Sequence, residues 1–215
     1  MIKWTSLYSM FDVSSPRFDF GEAPCERWGH ASVIVDQTLY IIGGFNNILS
    51  FALDTYKGDF WSFSFKTCRF SCIEVNYSDA TVKKYKRSNH SASYHPGTQS
   101  IYLFGGSVEH TQYNDLIAFH IPTNTLQKVK VKGDTAPRER TYHAEEIMGD
   151  LVFIVGGESN VGDLQDIWAF DINTKKWILP EVKGLIPKRR FLSCTGIKGK
   201  LYLFGGCVKE YMLSE

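Results

Sequence analysis

Four arginines that recur at intervals of about fifty to sixty residues are the side chains best suited to binding chemistry. An arginine guanidinium can donate two parallel hydrogen bonds to a carboxylate or phosphate, so such a set could hold an acidic ligand. A residue that every repeat reuses can equally be structural, packing against neighbouring repeats, and both interpretations stay open. The four are Arg27, Arg87, Arg140 and Arg190.

Basic residues also crowd the segments that lead into three of these arginines. Segments 79–90, 128–140 and 181–190 each carry a net charge of +3, whereas segment 14–30 is slightly acidic. A basic face would steer an acidic peptide, a phosphopeptide or a terminal carboxylate towards it; a solvated rim of lysines is the alternative. The whole chain has a net charge of +1, so nucleic-acid partners are not expected. The unrepeated residues that join the candidate contact set are Lys83, Lys84 and Arg189.

Histidines accompany three of the arginines, but catalytic motifs are absent from the sequence. The recurrence of His30, His90 and His143 favours a buried, hydrogen-bonded role over metal binding. There is no Gly-x-Ser-x-Gly, His-Glu-x-x-His, phosphate-binding loop or dinucleotide fingerprint. Paired acids such as Glu145 and Glu146 exist, but nothing sets a base against a nucleophile. We therefore expect no catalytic residues, no metal, no cofactor and no enzymatic activity.

The elements that would position these residues are strands. Apolar runs of about five to seven residues, rich in Val, Ile, Phe, Tyr and Trp, are broken by Gly, Asn, Asp, Thr or Pro. Each unit has four such runs, which in the third unit cover about 143–149, 151–155, 167–171 and 176–182. One four-stranded sheet cannot bury both its faces, so successive sheets must stack radially. The sequence predicts an all-β propeller of four-stranded antiparallel blades.

A Gly-Gly pair follows the second run of every unit and lets the chain leave a crowded strand with a positive φ. The pattern resembles the kelch repeat, whose other marks are Asp-x-Trp-x-Phe at 166–170, Thr174 and Trp177. The third unit carries all of them. The first has Phe70 in place of the last Trp, and the second has Ile117 where a Trp is expected.

The repeats divide the chain into one propeller region. The blades are expected at about 27–76, 87–132 and 140–183, with an incomplete blade at 190–215 and a lone closing strand at 1–7. Kelch propellers, by resemblance, usually close with about five to seven blades. We favour a fragment of a longer propeller. The alternative is a compact four-bladed ring, in which the third strand of the last blade would come from Glu210-Tyr-Met-Leu213.

Composition indicates a reducing compartment. No apolar run approaches the ~20 residues of a membrane span, and Met1–Leu7 is too short for a signal peptide. The five cysteines are odd in number and show neither a disulfide nor a zinc spacing. We expect a cytoplasmic protein, with a nuclear location also allowed.

Propeller topology places the loops between the second and third strands, and those between successive blades, on one face. The 46–58 insertion lies there and includes Phe51 and Tyr56, which would form a partner contact or a lid. The kelch resemblance implies a non-catalytic module that presents this face to a protein or peptide partner. It could act as a ubiquitin-ligase substrate receptor or a cytoskeletal adaptor. The alternative is a small-molecule enzyme or carbohydrate-binding propeller, which would need convergent catalytic residues in a central pocket.

Overall fold

The computed structural model describes residues 22–46, 56–78, 82, 85–184, 186–208 and 211–212, and within these nearly all regular structure is β. Single turns of 3-10 helix occur at Pro96–Thr98 and Ile121–Thr123. No helix among the described residues is long and apolar enough to cross a membrane. In chain order the strands are β1 (Ala31–Val35), β2 (Thr38–Ile42), β3 (Phe60–Ser64), β4 (Arg69–Ile73), β5 (Asn76–Tyr77), β6 (Ser91–His95), β7 (Ser100–Phe104), β8 (Ser107–Val108), β9 (Thr111–Gln112), β10 (Leu116–His120), β11 (Thr125–Lys128), β12 (Ala144–Met148), β13 (Leu151–Val155), β14 (Glu158–Ser159), β15 (Gly162–Asp163), β16 (Ile167–Asp171), β17 (Lys176–Ile178), β18 (Arg190–Ile197), β19 (Lys200–Val208) and β20 (Tyr211–Met212).

The strands form four successive blades, which confirms the predicted partial propeller. Blade 1 has the order β1-β2-β3-β4, blade 2 the order β6-β7-β10-β11, and blade 3 the order β12-β13-β16-β17, all antiparallel. Strand β5, in the connection from blade 1, adds to the outer edge of blade 2 by pairing parallel to β11. Blade 4 consists of β18, β19 and β20. The first strands of neighbouring blades lie side by side, so they are the inner strands of the propeller.

The hydrophobic core lies between the blades. Phe60 of blade 1 packs with Ile101 and Phe119 of blade 2 in one buried cluster, and a second cluster joins Phe104 of blade 2 to Phe170 of blade 3. Every residue of β7 is buried because a blade covers it on each side. This explains why the second run of each unit is apolar almost throughout. In a sheet with one face exposed to solvent, apolar and polar residues would alternate along the strand.

The Gly-Gly pairs allow the blades to approach closely. Gly105 and Gly106 have φ values of +64° and +82°, a backbone region that favours glycine. A Cβ atom on Gly105 would stand 2.7 Å from the carbonyl oxygen of Arg140 in the next blade. The amide of Gly106 donates to that same carbonyl at 2.9 Å. The pair therefore serves both the exit from the strand and the contact with the following blade.

A short hairpin follows each of the later Gly-Gly pairs. It is β8–β9 in blade 2 and β14–β15 in blade 3, and in blade 4 the end of β19 pairs with β20. Strand β20 is therefore the return strand of this hairpin. Tyr211–Met212 lies within the segment 210–213 that was expected to supply the third strand of a compact four-bladed ring, and it is the third strand of the blade 4 sheet. Closure of the ring stays a prediction. The lone strand expected at 1–7 lies outside the described residues.

A partly buried carboxyl group joins blades 2 and 3. The hydroxyls of Ser91 and Ser93 on β6 donate to the carboxylate of Glu145 on β12. The Oγ atom of Ser91 also lies 2.6 Å from Nε2 of His143. Burial raises the pKa of Glu145 to about 7, although the two serine hydrogen bonds oppose the shift.

Replacing Glu145 with Gln keeps the shape of the side chain and removes its titration. Because folding raises this pKa from 4.5 to about 7, the proton-linked stability is fully present below pH 4.5 and is lost as the pH rises through 7. The free energy of unfolding of the wild type, relative to Glu145→Gln, should fall by about 3 kcal/mol across this window. Chemical denaturation at a series of pH values measures the difference. Glu139→Gln, at an exposed carboxylate, is the control. Parallel pH profiles for the wild type and Glu145→Gln would contradict the prediction.

Candidate partner-binding face

Three of the four recurring arginines lie inside the blades, each paired with an aspartate of its own blade. Arg140 donates to Asp166 through both terminal nitrogens, at 2.7 and 2.8 Å, and to the carbonyl oxygen of Gly156 at 3.0 Å. Its side chain is completely buried. The same bidentate pair and the same glycine carbonyl bond occur in the other two full blades, for Arg27 with Asp59 and Gly43, and for Arg87 with Asp115 and Gly105.

The aspartate of this pair also explains the Asp-x-Trp pattern of the repeat. The indole Nε1 of Trp168 donates to Asp166 at 2.7 Å, and Trp61 donates to Asp59 at the same distance. Burial alone would raise the pKa of Asp166, but the hydrogen bonds from Arg140 and Trp168 outweigh it and hold the pKa below its ordinary value. The carboxylate therefore stays ionised and holds the guanidinium in place.

The arginines of blades 2 and 3 also bond to the preceding blade through their main-chain carbonyls. The carbonyl of Arg87 accepts from Gly44 at 2.8 Å, and that of Arg140 accepts from Gly106 at 2.9 Å. In blade 4 the residue in this position is Arg189, whose carbonyl accepts from Gly157 at 2.8 Å. Arg189 is buried and reaches the carbonyl of Gly205 at 3.4 Å. The alignment of Arg190 with the earlier arginines is therefore wrong by one residue.

Arg190 occupies the position that follows the buried arginine, and 18 % of its side chain is exposed. Its guanidinium contacts Glu158 at 2.5 Å and Asp163 at 3.6 Å, on the hairpin of blade 3. Its backbone pairs with Cys207, just as Trp28 in the equivalent position pairs with Phe45. Two adjacent arginines offered no signal in the sequence to show which one belongs to the buried series.

A chain of backbone hydrogen bonds crosses the inner ends of the blades. The residue two positions after each buried arginine has a left-handed conformation, with φ between +56° and +64°. The amide of Asn89 donates to the carbonyl of Gly29 at 2.7 Å, and that of Tyr142 donates to the carbonyl of Asn89 at 3.2 Å. The amide of Phe191 in turn donates to the carbonyl of Tyr142 at 2.9 Å. Non-glycine residues in this conformation are strained, and such strain often occurs at functional positions. The four residues are Gly29, Asn89, Tyr142 and Phe191.

Aromatic side chains surround this hydrogen-bond chain on the loop face, and we call them the inner-rim aromatic patch. They are Trp28, Phe45, Tyr56, Tyr142 and Phe191. Phe45 meets Trp28 and Tyr56 edge to face at 5.0 and 4.9 Å, and Tyr142 packs on Phe191 at 4.3 Å. Trp28 and Phe191 remain 53 % and 57 % exposed. Both are large apolar surfaces left open to solvent.

Charged groups border the same patch. Burial raises the pKa of Tyr142; Glu158 and Tyr56 add to the shift, whereas Arg190 opposes it. These groups therefore lie within electrostatic range of one another. Arg190 also stands over the ring of Phe191, 5.6 Å from its centre. Of the predicted site residues, the structure brings Tyr56 and Arg190 to this place.

The other predicted site residues lie elsewhere. The side chains of Arg27, Arg87, Arg140 and Arg189 are separate and buried, each within its own blade. Lys83, Lys84 and Phe51 lie outside the described residues. The sequence did not single out Trp28, Phe45, Tyr142 and Phe191, because an aromatic residue beside an apolar strand is expected to belong to the hydrophobic core. The signal that the sequence held was their position in the repeat: Trp28, Tyr142 and Phe191 lie one or two residues after a buried arginine, and Phe45 directly follows a Gly-Gly pair.

The alternative reading, a small-molecule enzyme, anticipated convergent catalytic or metal-binding groups. Ser91, His143 and Glu145 are the residue types of a nucleophilic triad, but the serine hydroxyl lies between the other two. A nucleophile would need the histidine in that middle position. Burial, with Arg140 adding to it, lowers the pKa of His143 to about 3. The described residues contain no group of three His, Cys, Asp or Glu placed to hold a metal ion.

These blades share a four-stranded antiparallel topology, a buried arginine–aspartate ion pair and a Gly-Gly contact with the next blade, and in two of them a tryptophan indole donates to the aspartate. Together these features define a kelch-type β-propeller. Residues 29–215 match the model of the KLHDC2/KLHL20/DRC7 Kelch-repeats domain, and the chain belongs to the kelch-repeat family. That family consists in general of non-enzymatic protein-interaction modules.

Similar proteins come from several organisms. The chain is 27 % identical over 195 residues to human Kelch domain-containing protein 10, covering 87 % of this chain and 42 % of that protein. It is 30 % identical over 154 residues to Tip elongation aberrant protein 1 of Schizosaccharomyces pombe, covering 68 % of this chain and 13 % of that protein. The chain thus spans less than half the length of these relatives.

Removing the Arg140 side chain should destabilise the fold. Arg140→Ala deletes a fully buried guanidinium, which takes two hydrogen bonds from Asp166 and one from the Gly156 carbonyl and leaves Asp166 with the Trp168 donor. We expect the free energy of unfolding to fall by about 3 kcal/mol, as when one partner of a buried ion pair is removed. Urea denaturation measures this, with the exposed Arg138→Ala as a control that should change it little. Equal stability of the two variants would contradict a structural role for Arg140.

Proposed function

We propose that the chain is a non-catalytic protein-interaction module that binds a peptide or protein partner at the inner-rim aromatic patch. The observation that carries the proposal is the exposure of Trp28 and Phe191 at the inner ends of the blades, where several repeats converge. Exposed aromatic side chains grouped on a rigid scaffold are typical anchors of protein interfaces. Membership of the kelch-repeat family supports the same kind of function.

The charge expected of the partner is inferred from the exposed lysines, since the repeated arginines are buried. Lys130 and Lys132 in the connection to blade 3, and Lys183 and Lys188 in the connection to blade 4, are exposed. They favour acidic residues on the partner, placed to flank an apolar side chain that contacts the aromatic patch. Exposed lysines contribute mainly to the association rate and its salt dependence, whereas the buried aromatic contact contributes most of the affinity.

We further propose that the module acts as the substrate receptor or adaptor of a larger assembly, in a ubiquitin ligase or at the cytoskeleton. A cytoplasmic or nuclear location is part of the proposal. It is supported by the five cysteines, all of which have free thiols although two are exposed. Exposed free thiols are typical of a reducing compartment.

Trp28→Ala and Phe191→Ala should each weaken partner binding by at least about tenfold, as expected for anchor residues. The probe is an array of acidic peptides with one central aliphatic or aromatic residue, measured at two salt concentrations. Both side chains are more than half exposed, so the variants should keep the thermal stability of the wild type.

The matched control is Phe65→Ala. Phe65 is 45 % exposed and follows β3, in a turn on the opposite face of the propeller. It should leave binding unchanged. The double variant Lys130→Ala/Lys132→Ala should flatten the salt dependence while keeping most of the affinity. If Trp28→Ala and Phe191→Ala both bind the peptides with the same affinity as Phe65→Ala and the wild type, the proposed binding site is overturned.

A further inference from the structure

The outer edge of blade 2 is covered by a segment of the chain itself. Strand β5 lies parallel to β11, the outermost of the four strands of that blade. The amide of Asn76 donates to the carbonyl of Asn124 at 2.8 Å, and the amide of Ser78 donates to the carbonyl of Leu126 at 3.1 Å. The side-chain amide of Asn76 also donates to the carbonyl of Thr123 at 2.8 Å. A blade of this protein therefore accepts an extended segment as a fifth strand.

The corresponding connection to blade 3 begins the same pairing and then leaves it. Lys132, the counterpart of Asn76, donates its amide to the carbonyl of Lys175 at 2.7 Å. Gly133 follows with a φ of +85°, and the chain bends there. No described amide of this connection donates to the carbonyl of Trp177, where the second bond of the blade 2 series would form. Among the described residues, β17 is therefore an open edge.

The residues of the two connections account for this difference. Gly133 stands where the connection to blade 2 has Tyr77, and glycine weakens a strand. Val131 is 37 % exposed, whereas its counterpart Val75 packs against the core of blade 2. Segments 73–78 and 129–134 are both described. The open edge of blade 3 thus arises within the propeller and does not depend on either end of the chain.

The side chains along β17 favour pairing with another strand. Natural sheets protect their open edges with polar and charged residues, and β11 has Gln127 and Lys128 at its outer end. Blade 3 has Ile178 and Leu179 at these positions, and they are 43 % and 60 % exposed. An open edge that carries exposed apolar side chains is the kind of surface to which an extended peptide adds.

A groove continues from the end of β17. In blade 2 the amide of Val129 donates to the carbonyl of Leu116 at 2.8 Å, but the counterpart of Val129 in blade 3 is Pro180, which has no amide. Strand β17 is accordingly one residue shorter than β11. A groove of about 280 Å³ opens at this point. Its apolar lining is formed by Ile167, Leu179, Pro180, Val182 and Ile186.

Charge and orientation define the segment that this edge would accept. Lys132, Lys175 and Lys176 lie at the beginning of the edge, whereas the apolar residues and the exposed Glu181 lie at its end. A segment that runs parallel to β17, as β5 runs beside β11, meets the lysines with its amino end. Its carboxyl end meets Ile178 and reaches the groove. Acidic residues therefore fit first, followed by apolar residues of the β-branched kind that strands prefer.

We propose that β17 is a docking edge for an extended segment of a partner protein, which adds to blade 3 as a fifth strand parallel to β17. The segment is acidic at its amino end and β-branched and apolar at its carboxyl end. Its backbone supplies an amide to the carbonyl of Trp177, as Ser78 supplies one to blade 2. Main-chain hydrogen bonds give affinity in this mode, and the side chains give selectivity. The edge lies on the outermost strand of the blade, so the inference is independent of the inner-rim aromatic patch.

The peptide Asp-Glu-Val-Thr-Val-Ile, with fluorescein at its amino end and an amide at its carboxyl end, tests the proposal by fluorescence polarisation with the full chain. Saturable binding is expected. The double variant Ile178→Gln/Leu179→Gln should weaken it by at least about tenfold, because it removes the apolar contacts and leaves the charge of the edge unchanged. Both side chains are exposed, so thermal unfolding should match the wild type. Ile34→Gln, at a strand residue that is 62 % exposed in blade 1, is the matched control and should bind normally.

Methylation of single peptide amides distinguishes strand pairing from binding through side chains alone. Alternate amides of an added strand face the edge, so methylation at every second position should weaken binding by at least about tenfold and methylation between them much less. The proposal is overturned if the wild type does not bind the peptide, if the double variant binds it equally well, or if every methylation has the same effect.

Two further measurements separate this edge from other sites. The variant Trp28→Ala/Phe191→Ala should bind the peptide like the wild type, and loss of binding would assign the peptide to the inner-rim aromatic patch and overturn the proposal. Light scattering of the wild type should show a mass that does not change with concentration. A mass that rises in the wild type but not in Ile178→Gln/Leu179→Gln would assign the edge to a second copy of the chain and would also overturn it.

Discussion

The structure depends on one buried ion pair that every full blade repeats. Its arginine binds an aspartate and a glycine carbonyl within its own blade, and its main-chain carbonyl accepts an amide from the preceding blade. A single residue therefore connects the outer half of a blade to its inner strand and that blade to its neighbour. A buried guanidinium is tolerable only when its donors are satisfied, which explains why the aspartate and the glycine carbonyl recur with it.

This constraint determines where recognition can occur. Because the repeated arginines are buried, they cannot form the basic surface that their spacing suggested. The same ion pair instead fixes the two residues that follow each buried arginine: the first pairs with the residue after the Gly-Gly pair of its own blade, and the second belongs to the left-handed backbone chain. Trp28, Tyr142 and Phe191 occupy such positions, and their aromatic groups are held on a rigid part of the scaffold. Rigid, exposed aromatic residues bind partners with little loss of conformational entropy.

Much of the fold could be predicted from the sequence, because local patterns encode it. The Gly-Gly pairs mark positive φ values and close blade contacts, and the apolar runs of the third unit match β12, β13, β16 and β17. The site was harder to predict. A repeated arginine looks the same in the sequence whether it faces a ligand or a buried aspartate. In blade 4, where Arg189 and Arg190 are adjacent, the sequence does not show which of them aligns with the arginines of the other blades. Exposure of Phe191 depends on which blades stand beside it, which no local pattern contains.

Arg189 and Arg190 offer the most direct test of this account, since adjacent residues of one type are assigned opposite roles. Urea denaturation of Arg189→Ala and Arg190→Ala measures the free energy of unfolding of each. Arg189→Ala should lose at least about 2 kcal/mol, because it deletes a buried guanidinium. Arg190→Ala should lose less, because its side chain and that of Glu158 keep 18 % and 28 % of their surface in contact with water. A larger loss for Arg190→Ala than for Arg189→Ala would contradict the account.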